Sequence, residues 1–106
     1  MATLLLSQRN FDLHVTPPGH PERAERIRAV EAALAAPAFS GLVRRYAGFA
    51  DLGLAELVHG PSYLDFLRRA RPAEGMGRID EDTFISSGSL DAASVALAAG
   101  LAALDA

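Results

Sequence analysis

The stretch "LDAASVALAAGLAALDA", residues 90–106, decides how the rest of the chain must be read. Between Asp91 and Asp105 only Ser94 and Gly100 interrupt a run of apolar residues. Alanine and leucine are strong helix formers, so the segment predicts a helix with almost no polar face. A helix that is apolar on every side is normally buried on every side. The remaining residues offer two short strands and three short helices, too little to surround it. The pattern also runs to the last residue without a glycine cap or a basic last turn. These residues therefore read as the first portion of a larger α/β domain. The alternative is a small, alanine-rich helix that pairs with itself in an oligomer.

Working outward, the 106 residues allow at most one domain, with no second domain in 1–106. A formal net charge of -3 gives no electrostatic footprint for nucleic acid or for an anionic membrane. All ten basic residues are arginine. With the abundant alanine, this is the composition a GC-rich bacterial genome produces. Cysteine is absent, which excludes disulfides and thiolate metal sites. No run reaches the roughly 20 apolar residues of a membrane span. "MATLLLSQRN" lacks the basic region and cleavage site of a signal peptide, so the expected location is cytoplasmic.

Along the chain, Thr3 to Ser7 reads as a buried strand, and residues 8–19 as a loop closed by Pro17, Pro18 and Gly19. Pro21 and Glu22 suit the first turn of a helix carrying Ile27, Val30 and Leu34 on one face, with Pro37 at its exit. Residues 44–50, "RRYAGFA", alternate like a second strand. Asp51 can cap a short helix with Leu54, Leu57 and Val58, and Ser62 can cap the helix that follows, "YLDFLRRA". Residues 71–83 read as a polar loop, and Ser86 to Ser89 introduce the last helix.

Three segments in series carry a resemblance: "TPPGHPERAERIRAV", "LVHGPSYLDFLRRA" and "IDEDTFISSGSLDAASVALAAGLAALDA". Their order and spacing resemble the N-terminal third of the histone deacetylase and acetylpolyamine amidohydrolase family, most nearly its bacterial, class II-like members. The resemblance covers nearly the whole chain from Leu4 onward. It implies an arginase/deacetylase-like α/β fold, a parallel sheet wrapped by helices with the active site at the carboxyl ends of the strands. It also implies a zinc-dependent amidohydrolase that removes acetyl groups from acetyl-lysine or acetylated polyamines. Such chemistry uses a metal to polarise the carbonyl and to lower the pKa of the attacking water. The family's histidine pair, its zinc ligands and its tyrosine all belong downstream of Ala106. This chain alone is therefore expected to carry no catalytic or metal-binding residue and to bind no zinc.

The resemblance assigns substrate-binding roles to two residues. Arg26 matches an arginine that projects beneath the zinc site toward a cavity for acetate, and a one-turn shift of the match would put Arg23 in its place. A guanidinium fork suits a carboxylate. The competing reading is an exposed arginine paired with Glu22 at i,i+4. Asp82 matches a rim aspartate that accepts hydrogen bonds from the backbone of a bound acyl-lysine. Asp80 competes for that role, and either could be a simple turn former. His20 and Pro21 belong to a loop that reaches toward the entrance, where His20 orders the loop by hydrogen bonding. Asp12-Leu13-His14 imitates a pair of zinc ligands but reads as a loop with local hydrogen bonds. His59 and Tyr63, four apart, read as structural. A non-enzymatic alternative uses the apolar 90–104 helix as a surface for a partner or for self-association.

Overall fold

A parallel pair of strands forms the base of the molecule in the computed structural model, which describes all 106 residues. Strand β1 (Leu4–Gln8) runs beside β2 (Val43–Ala47) in parallel register, from Leu4 opposite Val43 to Gln8 opposite Ala47. Parallel neighbours need a crossover, and helix α1 (Ala24–Leu34) provides it. Helix α2 (Pro61–Ala70) follows, then an antiparallel hairpin of β3 (Met76–Arg78) and β4 (Phe84–Ser86), and finally α3 (Ser89–Asp105). Short 3-10 turns at Phe11–Leu13, Pro37–Phe39 and Leu52–Leu57 join these pieces. Helix α3 packs across β1, β2 and two of those turns.

The element boundaries depart from the sequence reading for local reasons. Helix α1 starts at Ala24, with Arg23 extended at φ -158, so Pro21 and Glu22 lie in the entry loop and not in the first turn. Its far end is closed by Arg44 of β2, whose guanidinium donates to the Leu34 carbonyl. Strand β2 stops at Ala47, short of Gly48 to Ala50, and only Ala47 of the five is buried. Asp51 does cap its turn, accepting from Gly53 N at 2.9 Å. Helix α2 begins earlier than expected: Gly60 is its cap and Pro61 its first residue, so Ser62 is already helical. The segment read as a loop at 71–83 contains β3, too short to show a period in the sequence.

Helix α3 is left partly uncovered, as the shortage of surrounding elements implies. Only Ser94 and Val95 are buried along its length, and Leu104 is 83% exposed. The strands and turns cover one side of the helix and leave the other open. The whole chain shows the same openness. Its accessible surface of 7235 Å² exceeds by about 1,500 Å² the roughly 5,700 Å² of a compact protein of this mass. Its radius of gyration, 15.5 Å, exceeds the roughly 13 Å of a compact domain. The buried apolar residues are Ala47, Leu64, Ile85 and Val95. Four residues, on four different elements, are too few to be a closed core.

One buried serine, Ser86, joins the loop after β1 to the end of β4. Buried Ser86 donates to the Leu13 carbonyl at 2.8 Å and accepts from Val15 N at 3.0 Å. It thereby ties the loop after β1 to the start of α3. That approach is so close that a Cβ on Gly88 would sit 2.6 Å from the Leu13 carbonyl oxygen. Glycine at 88 is a steric requirement of the junction.

Candidate functional site

Three of the polar residues singled out in the sequence, His20, Asp80 and Asp82, converge where the loop after β1 meets the turn between β3 and β4. The loop is shaped by Pro17-Pro18-Gly19-His20, in which His20 N donates to the Pro17 carbonyl at 3.0 Å and Gly19 takes a positive φ of 83°. This is the chemistry of a turn with proline second and glycine third. Its consequence is to deliver His20 to the hairpin turn.

There His20 is held on all sides. Its ring is 11% exposed. Nε2–H donates to the Asp82 carbonyl at 3.0 Å and to Asp82 Oδ1 at 3.2 Å. Nδ1 accepts from Glu22 N–H at 3.1 Å, which assigns the neutral tautomer to Nε2–H. Phe84 meets the ring edge-on, with centroids 5.4 Å apart at 81°. Desolvation pulls the His20 pKa down. The hydrogen bonds to the Asp82 and Glu22 carbonyls, and then the Asp82 carboxylate and its charge, outweigh it and leave the pKa above the ordinary 6.5.

The hairpin turn is braced from its other side by Asp80. Asp80 Oδ1 accepts from Asp82 N at 2.9 Å and from Thr83 N at 2.8 Å. Those bonds to the ionised carboxylate, led by the one from the Asp82 main chain, hold its pKa below the ordinary 3.8. Asp80 is thus occupied as a turn former. Asp82 is different, with a side chain 88% exposed and Oδ1 alone engaged.

Arg26 lies elsewhere. It lines an open groove of about 310 Å³ with Phe11, His14, Glu22, Arg23 and Ile27, and Asp82 does not line it. The pairing of Arg26 with Glu22 does not form, because Glu22 precedes the helix and its carboxylate points to His14 Nε2 at 3.6 Å. Arg26 therefore has no ion-pair partner. Arg23 shares this groove and also lines the neighbouring one. Loop residue Glu22 links the two regions: its side chain faces the Arg26 groove, and its main chain holds His20.

The Asp12-Leu13-His14 pair separates in space. Asp12 Oδ2 meets Arg28 at 3.5 Å, whereas His14 Nδ1 lies 2.6 Å from Ser89 Oγ. No group of three histidine or acidic side chains is placed to hold a metal ion. His59 and Tyr63 stack as tilted rings 5.0 Å apart at the entry to α2. The sequence reading missed the direct contact of His20 with Asp82, which lie 62 positions apart. The available signals were local ones, the Pro-Pro-Gly turn and the Asp-x-Asp-Thr turn. Neither reveals that the two turns meet.

No protein-family model matches the chain, and no curated protein matches it. Among solved structures, the chain is similar to the crystal structure of the HDA15 HD domain, with a TM-score of 0.74 and 21% identity. The match covers 93% of this chain and 30% of that one, so the chain spans about a third of the domain it resembles. At this identity the likeness establishes the fold: a deacetylase-like α/β arrangement of parallel strands and helices.

Proposed function

We propose that this chain is the N-terminal segment of a deacetylase-like amidohydrolase, whose complete form hydrolyses an acetyl or related acyl group from a lysine side chain or a polyamine. The observation that carries the reading is the fold match over 93% of the chain, together with an exposed, braced aspartate at the hairpin turn. In this reading Asp82 accepts hydrogen bonds from the substrate at the rim. Arg26, with an unpaired guanidinium in an open groove, serves a carboxylate such as the acetate product. The bacterial, class II-like subtype and a cytoplasmic location belong to the same proposal. No helix is long and apolar enough to cross a membrane.

The residues of this chain do not fit a zinc ion. Its nearest approach to a ligand pair, Asp12 and His14, turns to separate partners. The zinc of the proposed chemistry would be held by residues outside this segment, and so would the acid/base groups. The test is to express the complete reading frame that encodes these residues and to assay it on acetyl-lysine peptides and acetylated polyamines. The expected result is zinc-dependent turnover on at least one class, abolished by a chelator, with none from residues 1–106 alone. Absence of turnover on both classes by a folded, zinc-loaded product would overturn the reading. A well-folded, monodisperse oligomer of residues 1–106 would favour the interaction module built on the 90–104 helix.

A further inference from the structure

We infer that His20 is a positioning residue: it orients the Asp82 carboxylate, so that Oδ1 is held and Oδ2 is left free to accept from an amide N–H of the bound acyl-amine. The inference rests on the rim role proposed for Asp82 and adds to it the device that aims the group.

An exposed aspartate on a turn ordinarily samples several rotamers, and ordering it costs free energy each time a ligand binds. Here the main chain of Asp82 is clamped from two sides. Asp80 takes its N–H at 2.9 Å, and His20 Nε2 donates to its carbonyl at 3.0 Å. The same Nε2–H reaches Oδ1 at 3.2 Å, so one donor fixes both the backbone and the side chain of Asp82. His20 can do this because it is itself immobile. Its main chain is set by the Pro17–His20 turn, its Nδ1 by Glu22 N–H, and its ring by the edge contact with Phe84. The exposure contrast has the same sense, 11% for the His20 side chain against 88% for that of Asp82: a half-buried support beside an exposed acceptor.

The charged groups around the ring are few. From the hairpin turn come Asp82 itself and its neighbours Asp80 and Glu81. From the entry loop comes Glu22, whose carboxylate is turned toward His14. From β3 comes Arg78, whose guanidinium lies 5.2 Å from the Phe84 ring centroid. Protonation of Nδ1 would exchange its acceptor role for donation to the Glu22 carbonyl, 3.3 Å away, and would leave Nε2 on Asp82. The support therefore survives in both protonation states.

The experiment uses the protein from the complete reading frame, labelled at histidine rings, with the His20 resonance identified by its loss in His20→Gln. In Asp82→Asn the His20 midpoint is expected to fall toward the ordinary 6.5. In Glu22→Gln the His20 midpoint is expected to stay in place, because Glu22 touches His20 only through its main chain. On an acetyl-lysine peptide, Asp82→Asn and His20→Ala should each raise KM about tenfold with kcat nearly unchanged. The double variant should be no worse than Asp82→Asn alone, and His20→Gln, which keeps a donor, should recover part of the loss. A His20 midpoint indifferent to Asp82→Asn would overturn the inference, as would additive losses in KM. A coupled titration with no KM effect from Asp82→Asn would instead remove the rim role and leave the contact intact. In that outcome His20 positions nothing for substrate, and the inference falls with the role.

Discussion

Ser94 Oγ and the main chain of Ala50 are bonded in both directions: the hydroxyl donates to the Ala50 carbonyl and accepts from Ala50 N–H at 3.1 Å. One buried hydroxyl in an otherwise apolar helix thus satisfies both polar groups of a residue just past β2, where the strand ladder has ended. Ser94→Ala would leave both groups without a partner in a part-buried place. The expected loss is about 1–3 kcal/mol, read from urea denaturation of the protein. A change smaller than a few tenths of a kcal/mol would show that water replaces the serine there.

Two glycines separate steric from conformational demand. Gly88 has an ordinary negative φ of -99°, yet an added Cβ would lie 2.6 Å from a backbone oxygen that cannot swing away. Gly19 has nothing within 4 Å of an added Cβ but sits at φ +83°. Gly88→Ala should therefore push β4 and α3 away from the loop and cost about 2–3 kcal/mol. Gly19→Ala should cost about 1–2 kcal/mol through backbone strain, and Gly19→Asn less. Thermal melts of the three variants check the order. Equal losses for Gly88→Ala and Gly19→Asn would contradict it.

The sequence made the first of these relationships half legible. A serine or glycine inside an apolar run is visible as an interruption, and Asp51 before a short helix was readable as a cap because capping is local. The distant main-chain partners of Ser86 and Ser94 were not, since those bonds span more than 40 positions. The three-residue strands of the hairpin are shorter than any period can register. The open side of α3 was legible, because an apolar helix can be weighed against the few elements available to cover it. At the site, Asp82 could be named from its motif, while the hold of His20 upon it depended on two loops meeting.

The pH dependence of the hairpin turn follows from two shifted groups of opposite kind. His20 has its pKa raised in the folded protein: desolvation works against the charged ring, and the hydrogen bonds to Asp82 and Glu22 prevail. A raised folded pKa means that its contribution is fully present below the unfolded value of 6.5 and disappears as pH rises through the folded one. Asp80 is lowered, chiefly by the Asp82 N–H, so its contribution is present above 3.8 and disappears as pH falls through its folded pKa. Both contributions coexist between those values, and the turn should be most resistant there. Amide exchange at Thr83, whose N–H is bound by Asp80, should be slowest in that window after correction for intrinsic rates. Asp80→Asn should flatten the acid limb only, and His20→Gln the neutral limb only.

The exposure of α3 yields the sharpest test of how the chain is used. Leu64 of α2 is 2% exposed, and Leu104 is 83% exposed near the end of α3. Leu64→Ala removes buried methyl groups and should cost about 2–4 kcal/mol in any context where the fold is intact. Leu104→Ala should cost almost nothing while the open side of α3 faces water. If the segment belongs to a deacetylase-like domain of the size of its structural neighbour, further helices and strands would cover that side. Leu104→Ala in the complete protein should then cost about 2 kcal/mol or more, approaching the Leu64 value. The two substitutions are made in residues 1–106 and in the product of the complete reading frame, and denatured side by side. A Leu104 effect that appears only in the longer product marks α3 as an interior helix. A Leu104 effect that appears in the short chain, and grows with its concentration, marks the same face as a contact between copies.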